Sequence, residues 1–196
     1  MMNYRENPLL ERYVRELWEW NKKFSLTGAK DTDTVWEHIG DSLYLEEYVR
    51  NDPRGMAVDI GSGQGLPVVP LAVAVPGKSY IAAEVNDRKI GFLDWIAASL
   101  SLPVETVKIY PKTLIDGVCM ITAKAFARID EIVLWQKAHA PGAEVFYLHK
   151  GDEDNVKDEL SRTAKRFPDL KDAVEHAVID KFEKGCVVVI RIGGAK

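Results

Sequence analysis

Apolar positions along the opening stretch of the chain recur at three- and four-residue spacing. Leu9, Leu10, Tyr13, Val14, Leu17, Trp18 and Trp20 line one side of a helix, which Ser25-Leu26-Thr27-Gly28 interrupts. A second helical pattern starts near Asp33 or Thr34. It runs through Trp36, Ile39, Leu43, Leu45 and Val49 to the turn Asn51-Asp52-Pro53. From Gly55 the period changes. MAVDI (56–60), SYIAAEV (79–85), VETVKIY (104–110), GVCMIT (117–122) and EVFYLHK (144–150) are short apolar runs that read as strands. Helical patterns separate them, through residue 75 after a glycine-rich turn, over 87–100 and over about 129–139, with a charged helix at 152–166. AVEHAVID and KGCVVVIRI then read as a terminal hairpin. This alternation predicts one α/β domain over residues 55–196, with a mostly parallel sheet covered on both faces and an antiparallel addition at its edge. Residues 1–54 are expected to form a helical extension packed on that domain.

Composition changes this picture little. The 196 residues suffice for one buried α/β domain with a small appendage, and 46% hydrophobic with 29% charged residues excludes a disordered chain. A net charge of −4 removes any global positive field and leaves only a local basic face to meet a nucleic acid. Lys22, Lys23 and Lys30, flanking Asn21, either form such a strip or are ordinary solvated helix charge. Cys119 and Cys186 lie in apolar runs without a CxxC partner, so reduced core thiols are expected and metal fingers are not. Neither a signal-peptide core nor an apolar run of about 18 residues occurs, which predicts a cytoplasmic, membrane-free protein; a monomer is expected separately. Trp18, Trp20, Trp36 and Trp95 stand at helical spacing and read most simply as core, and DEDNVKDELSRTAKR as a solvated helix face.

The chemistry concentrates in VDIGSGQGLPVVPLAVAVPG (58–77). Glycines at 61 and 63 let the backbone turn tightly and let a ligand approach where a Cβ would clash. Pro67 suits a first helical turn. Glu84, at the end of the next strand, can accept both hydroxyls of an adenosine ribose. The spacing is G-x-G-x-G rather than the dinucleotide G-x-G-x-x-G, with Leu66 where the third dinucleotide glycine would stand. Asp59, two residues before the first glycine, disfavours a pyrophosphate but suits the positive ammonium or sulfonium end of S-adenosylmethionine. The loop therefore favours that methyl donor over NAD, though a glycine turn of purely structural purpose remains an alternative.

Further stretches join this loop in one resemblance. WNKKFSLT (20–27), HIGDSL (38–43), DIGSGQGLPVVPLA (59–72), RKIGFLDWIAASLSL (88–102), AKAFA (123–127) and FYLHKG (146–151) resemble, in order, the bacterial small-subunit ribosomal RNA guanine-N7 methyltransferases known as RsmG or GidB. The resemblance implies a Rossmann-like class I S-adenosylmethionine-dependent methyltransferase with a seven-stranded sheet. It further implies methyl transfer to N7 of a guanine in the 530 loop of 16S ribosomal RNA, free or within the 30S particle, with S-adenosylhomocysteine as product. By the same resemblance Asp59, Gly61, Ser62, Gly63, Gly65 and Leu66 line the donor, Glu84 holds its ribose, and Lys112 and Thr113 lie at the adenine. Lys124 stands where the family has an arginine facing donor and substrate. Other departures are Glu37 for an arginine, Gly40 for a leucine, Ser25 for an asparagine and Val68 for a glycine.

Guanine N7 carries an in-plane lone pair and no proton, so its methylation needs no general base, and the sequence shows neither a nucleophilic triad nor paired carboxylates or a metal-ligand cluster. Lys124 and Phe126 are the expected catalytic residues; Lys124 or Lys150 is the candidate cation near guanine O6, and Phe126 a stacking surface or else core beneath the loop. Asn21, His38, Asp41, Pro67 and Lys150 are candidate substrate contacts. His38 and Asp41, three apart on a helix, either reach the site together or brace that helix. His149 reads as a neutral structural histidine. A donor-binding or RNA-binding module without turnover, or a methyltransferase of another base or small molecule, stays open at this point.

Overall fold

The computed structural model describes residues 4–192. After a single 3-10 turn at Tyr4–Glu6, helix α1 (Pro8–Phe24) opens on Asn7, whose side-chain oxygen accepts the amides of Leu9 and Leu10. It closes on Ser25 in the left-handed conformation at φ 51°. The second helical pattern is two helices, α2 (Thr32–Leu43) and α3 (Glu46–Asn51), because the chain turns at Tyr44 while its apolar spacing continues.

The seven strands are β1 (Met56–Ile60), β2 (Ser79–Glu84), β3 (Val104–Lys108), β4 (Met120–Lys124), β5 (Val145–Lys150), β6 (Val178–Phe182) and β7 (Gly185–Arg191). They form one sheet in the order β3-β2-β1-β4-β5-β7-β6. Neighbours from β3 to β5 pair parallel, while β7 runs antiparallel between β5 and β6. The antiparallel strand is thus the penultimate one, and β6 is the edge. Helices α4 (Val68–Ala74), α5 (Asp87–Ser99), α6 (Ile129–His139), α7 (Glu153–Arg166) and α8 (Lys171–Glu175) supply the connections.

Strand alternation splits the core into two layers. Ala57, Tyr80, Ala82, Met120, Tyr147 and Val189 face α1 to α5. Val58, Ile81, Ile121, Phe146, Leu148 and Val188 face α6 to α8. The N-terminal helices therefore complete one face of the sheet. Leu10, Tyr13, Val14 and Leu17 of α1 are buried there, and the Tyr13 hydroxyl donates to the Gln64 carbonyl at 2.9 Å, so α1 braces the glycine turn. At the opposite end of the sheet Asp52 accepts from Tyr147 (2.5 Å) and Arg54 (2.8 Å), tying the α3–β1 junction to β5. The tryptophans are less covered than their spacing suggests. Trp18, Trp20 and Trp36 are half-buried and Trp95 is exposed, with Trp20 packed between Phe24, Phe92 and Trp95. Cys186 is buried, but Cys119 is only partly so, and both thiols are free.

Candidate functional site

Because β1, β2, β4 and β5 are parallel, their final residues share one edge of the sheet, where ligands of open α/β folds bind. The glycine turn leaves β1 there. The amides of Gly61 and Ser62 donate back to the Ala83 carbonyl at 2.9 and 3.2 Å, which pins the turn to β2. Gly61, Gly63 and Gly65 all take positive φ, at 66°, 59° and 103°. Each excludes a side chain for a different reason. A Cβ on Gly61 would stand 2.1 Å from the Phe126 ring, and one on Gly65 would stand 2.7 Å from Val69 of α4. At Gly63 the space is open, bounded by the Gly61 carbonyl and by Lys89 Nζ at 4.0 Å.

Glu84 ends β2 nearly buried at 6% exposure. One carboxylate oxygen accepts the Gly63 amide at 2.9 Å, and the other accepts those of Val85 and Asn86 at 2.7 and 3.0 Å. Its negative charge is therefore held by backbone dipoles at the start of α5, with lone pairs left for ribose hydroxyls. Ser62, Gly63, Gly65, Leu66 and Pro67 are buried, and the Ser62 hydroxyl donates to the Asp59 carbonyl.

Asp59 lies under this turn with no solvent exposure. One oxygen accepts from Thr122 of β4 at 3.0 Å, and the other has no partner among the described residues. Burial pushes its carboxyl up to about 7, against the nearby Ser62 and Thr122 hydroxyls, which favour the charge. A carboxylate with one idle oxygen beneath a glycine cradle fits a cationic ligand group above it. The donor set is of the right kind for S-adenosylmethionine: a negative floor, an acid for a diol and no Cβ in the path.

Beside the cradle stands a second group. Lys124 ends β4, and Ala125 follows in the left-handed region at φ 52°, which turns Phe126 back onto Gly61. Lys124 Nζ lies 3.9 Å from Asp41 Oδ2, with side-chain exposures of 12% and 23%. His149, the register partner of Lys124 on β5, has a buried Nε2 without a partner and lies 5.0 Å from the Phe182 ring. Burial, and then the Lys124 charge, push His149 down to about 4, and the same causes lower His38. Burial also lowers Lys124, while Asp41 opposes the shift. His38 and Asp41, left by the sequence either reaching the site or bracing their helix, thus stand beside Lys124, and both histidines are held neutral near pH 7.

Other sequence-derived candidates are occupied elsewhere. Lys150 donates to the Ala127 carbonyl at 2.9 Å and pairs with Glu159 at 2.8 Å, clamping the loop after β4 to α7. Asn21 accepts the Thr27 amide at 2.9 Å and holds the α1–α2 turn. Pro67 is buried just before α4. Lys112 is exposed in the turn after β3, where the Thr113 hydroxyl accepts the Tyr110 amide at 2.9 Å. Phe126 is 41% exposed, so its ring is a surface at the site and not core. The reading of the sequence passed over Lys89, although its place in the first turn after Glu84 was a signal. It also passed over Tyr4, whose ring fills the space beside Gly40 that a larger side chain would need, at 2.6 Å from a Cβ there.

Solved methyltransferase structures share this architecture. The N-terminal domain of human METTL16 in complex with SAH superposes with a TM-score of 0.58 at 12% identity, over 98% of this chain and 85% of that one, a likeness of fold alone. A Helicobacter pylori protein named ribosomal RNA small subunit methyltransferase G is 32% identical over 79% of this chain and 86% of its own length. Its Stutzerimonas stutzeri counterpart is 34% identical over 83% of this chain and 76% of its own. The family model described as rRNA small subunit methyltransferase G matches residues 6–185, and the chain belongs to that family.

Proposed function

We propose that this protein transfers a methyl group from S-adenosylmethionine to N7 of a guanine in the 530 loop of 16S ribosomal RNA. Family membership makes the chain an S-adenosylmethionine-dependent rRNA methyltransferase, and the base and atom are the finer part of the proposal. The observation that carries it is the adjacency of two unlike sites at one sheet edge. The glycine cradle with Asp59 and Glu84 suits the donor, and the Lys124–Asp41 pair beside it is half-enclosed and walled by an exposed aromatic ring.

The donor, when bound, supplies a methyl on a positive sulfur, and the protein's task is alignment. Holding nucleophile and methyl in line is worth at most about 7–11 kcal/mol. N7 loses no proton on methylation, which agrees with a site whose histidines are kept neutral and whose charges stand ready as contacts. Lys124 bears on the oxygen adjacent to N7, and the Phe126 face supports a base drawn out of its stack. His38 and Asp41 complete the wall, and Lys89 stands at the rim of the cradle. A monomer acting in the cytoplasm, on free RNA or the 30S particle, completes the reading.

The test is transfer of tritiated methyl to 16S ribosomal RNA and 30S particles from cells lacking the protein, with mass mapping of the product. Label on N7 of a 530-loop guanine is expected. Label on another base or atom overturns the assignment, and donor binding without label leaves only a binding module.

A further inference from the structure

Four polar side chains at the end of β4 and β5 leave their hydrogen-bonding capacity unspent. Among the described residues, neither Lys124 Nζ nor the Asp41 carboxylate makes a hydrogen bond, and their mutual distance of 3.9 Å is too long for one. His149 Nε2 is buried and unpartnered, and no hydrogen bond involves the His38 ring. Of the four only His149 Nε2 is fully withdrawn from solvent without a partner, while Lys124 and Asp41 keep side-chain exposures of 12% and 23%, so a ligand entering here would take over bonds now left to water. By contrast, two buried acids away from this edge are well engaged: Asp130 pairs with both Arg128 and Arg166, and Asp52 with Arg54 and Tyr147.

We infer that Lys124 and Asp41 act together as a donor–acceptor pair that reads the guanine edge, Asp41 being the residue that specifies guanine. The inference rests on the function proposed above and adds to it the carboxylate and the face of the base that it meets. Lys124 offers hydrogen-bond donors only, and the ionised Asp41 offers acceptors only. Guanine presents the complement on neighbouring atoms: O6 accepts, while N1–H and the 2-amino group donate. Adenine presents the reverse, an amino group where O6 stands and a lone pair at N1, so it meets two like-signed contacts. A lysine and a carboxylate 3.9 Å apart, too far to satisfy each other, can divide this edge, Lys124 meeting O6 and the two Asp41 oxygens meeting N1–H and the 2-amino group.

The groups facing the pair fit this assignment. His38 stands on the same helix face as Asp41, His149 lies beside Lys124 on β5, and Glu37 is drawn outward by Lys184 at 3.1 Å. Both histidines are neutral at neutral pH, and Lys184, whose charge also reaches Asp41, is held by Glu37. Asp41 is therefore left with Lys124 as its one close cation among the described residues.

A cycle between Asp41 and the 2-amino group tests the inference. Small-subunit RNA is assembled by ligation with guanine or inosine at the target, inosine keeping N1–H and O6 but lacking the 2-amino group. Methyl transfer is measured with the wild type and Asp41→Ala, which removes the acceptor, after calorimetry has shown that the variant retains donor affinity. Loss of the 2-amino group should slow the wild type about ten-fold, and the variant should treat the two bases alike within about two-fold. A merely structural Asp41, tethering α2 to β4, would lower both rates and preserve their ratio. That outcome overturns the inference, and so does a wild type indifferent to the 2-amino group, which needs no variant at all. A wild type that labels neither RNA overturns the proposed function itself.

Discussion

Replacing Asp59 by asparagine should stabilise the fold at alkaline pH while weakening donor binding. Asp59 is fully buried, and its carboxyl is raised from 3.8 to about 7, first of all by burial. Between those values the folded protein keeps a proton that the unfolded chain has released, so stability falls as pH rises through the window. The whole shift corresponds to about 4 kcal/mol, of which about 2.5 kcal/mol falls between pH 5 and 8. Asparagine is nearly isosteric, still accepts from Thr122 and cannot ionise. Urea unfolding of both proteins across that range should show the variant gaining about 2.5 kcal/mol on the wild type, with equal m-values. At pH 8 the variant should bind S-adenosylmethionine at least about ten-fold more weakly, because a neutral amide no longer answers a cationic group. Parallel stability curves would refute the reasoning, since they would mean that Asp59 does not titrate near neutrality in the fold.

Gly61→Ala should lower donor affinity at least about ten-fold at a stability cost of about 1–3 kcal/mol, because the new Cβ drives into the Phe126 ring at a left-handed φ. Calorimetry beside thermal melting checks both parts. Gly65→Ala acts on the fold instead, where contact with Val69 and φ 103° should cost about 2–4 kcal/mol in urea unfolding. Tyr147→Phe removes a donor from buried Asp52 and should cost about 1–3 kcal/mol while leaving turnover unchanged. With His149 held down to about 4, single-turnover rates at saturating donor, where the Asp59 ionisation no longer limits binding, should show no step near pH 6.5 that His149→Gln removes, and such a step would contradict the placement.

Much of this architecture was legible in the sequence because parallel strands buried on both faces write themselves as unbroken apolar runs. MAVDI and the helix at 129–139 emerged with the boundaries expected of them. The reading slipped where tertiary packing overrode the local pattern. GVCMIT reads as a strand from residue 117, yet Gly117 turns at φ 75° and Val118 packs before the ladder begins at Met120. Leu43 and Leu45 continue a helical spacing across the bend that separates α2 from α3. At the site, chain order supplied Gly61, Gly63 and Glu84, since each follows its own strand. Asp41 meets Lys124 only because α2 folds over the far end of β4, a contact no spacing records. Lys150 was placed correctly at a strand end, but its charge is taken by Glu159, one more consequence of how α7 packs.

The position of β7 bears on how this protein is made. During synthesis the strands through β5 emerge first, in an order that lets the parallel part of the sheet assemble, while β6 has no partner except β7. Until residues 185–191 leave the exit tunnel, β5 offers a bare apolar edge carrying Val145, Phe146 and Leu148. Exposed edges of that kind recruit other strands and aggregate. A nascent chain stalled before Gly185 should therefore depend on chaperones and be cleared by proteases, and nonsense or frameshift changes late in the reading frame should behave as null alleles although the donor cradle and the Lys124 group are already encoded.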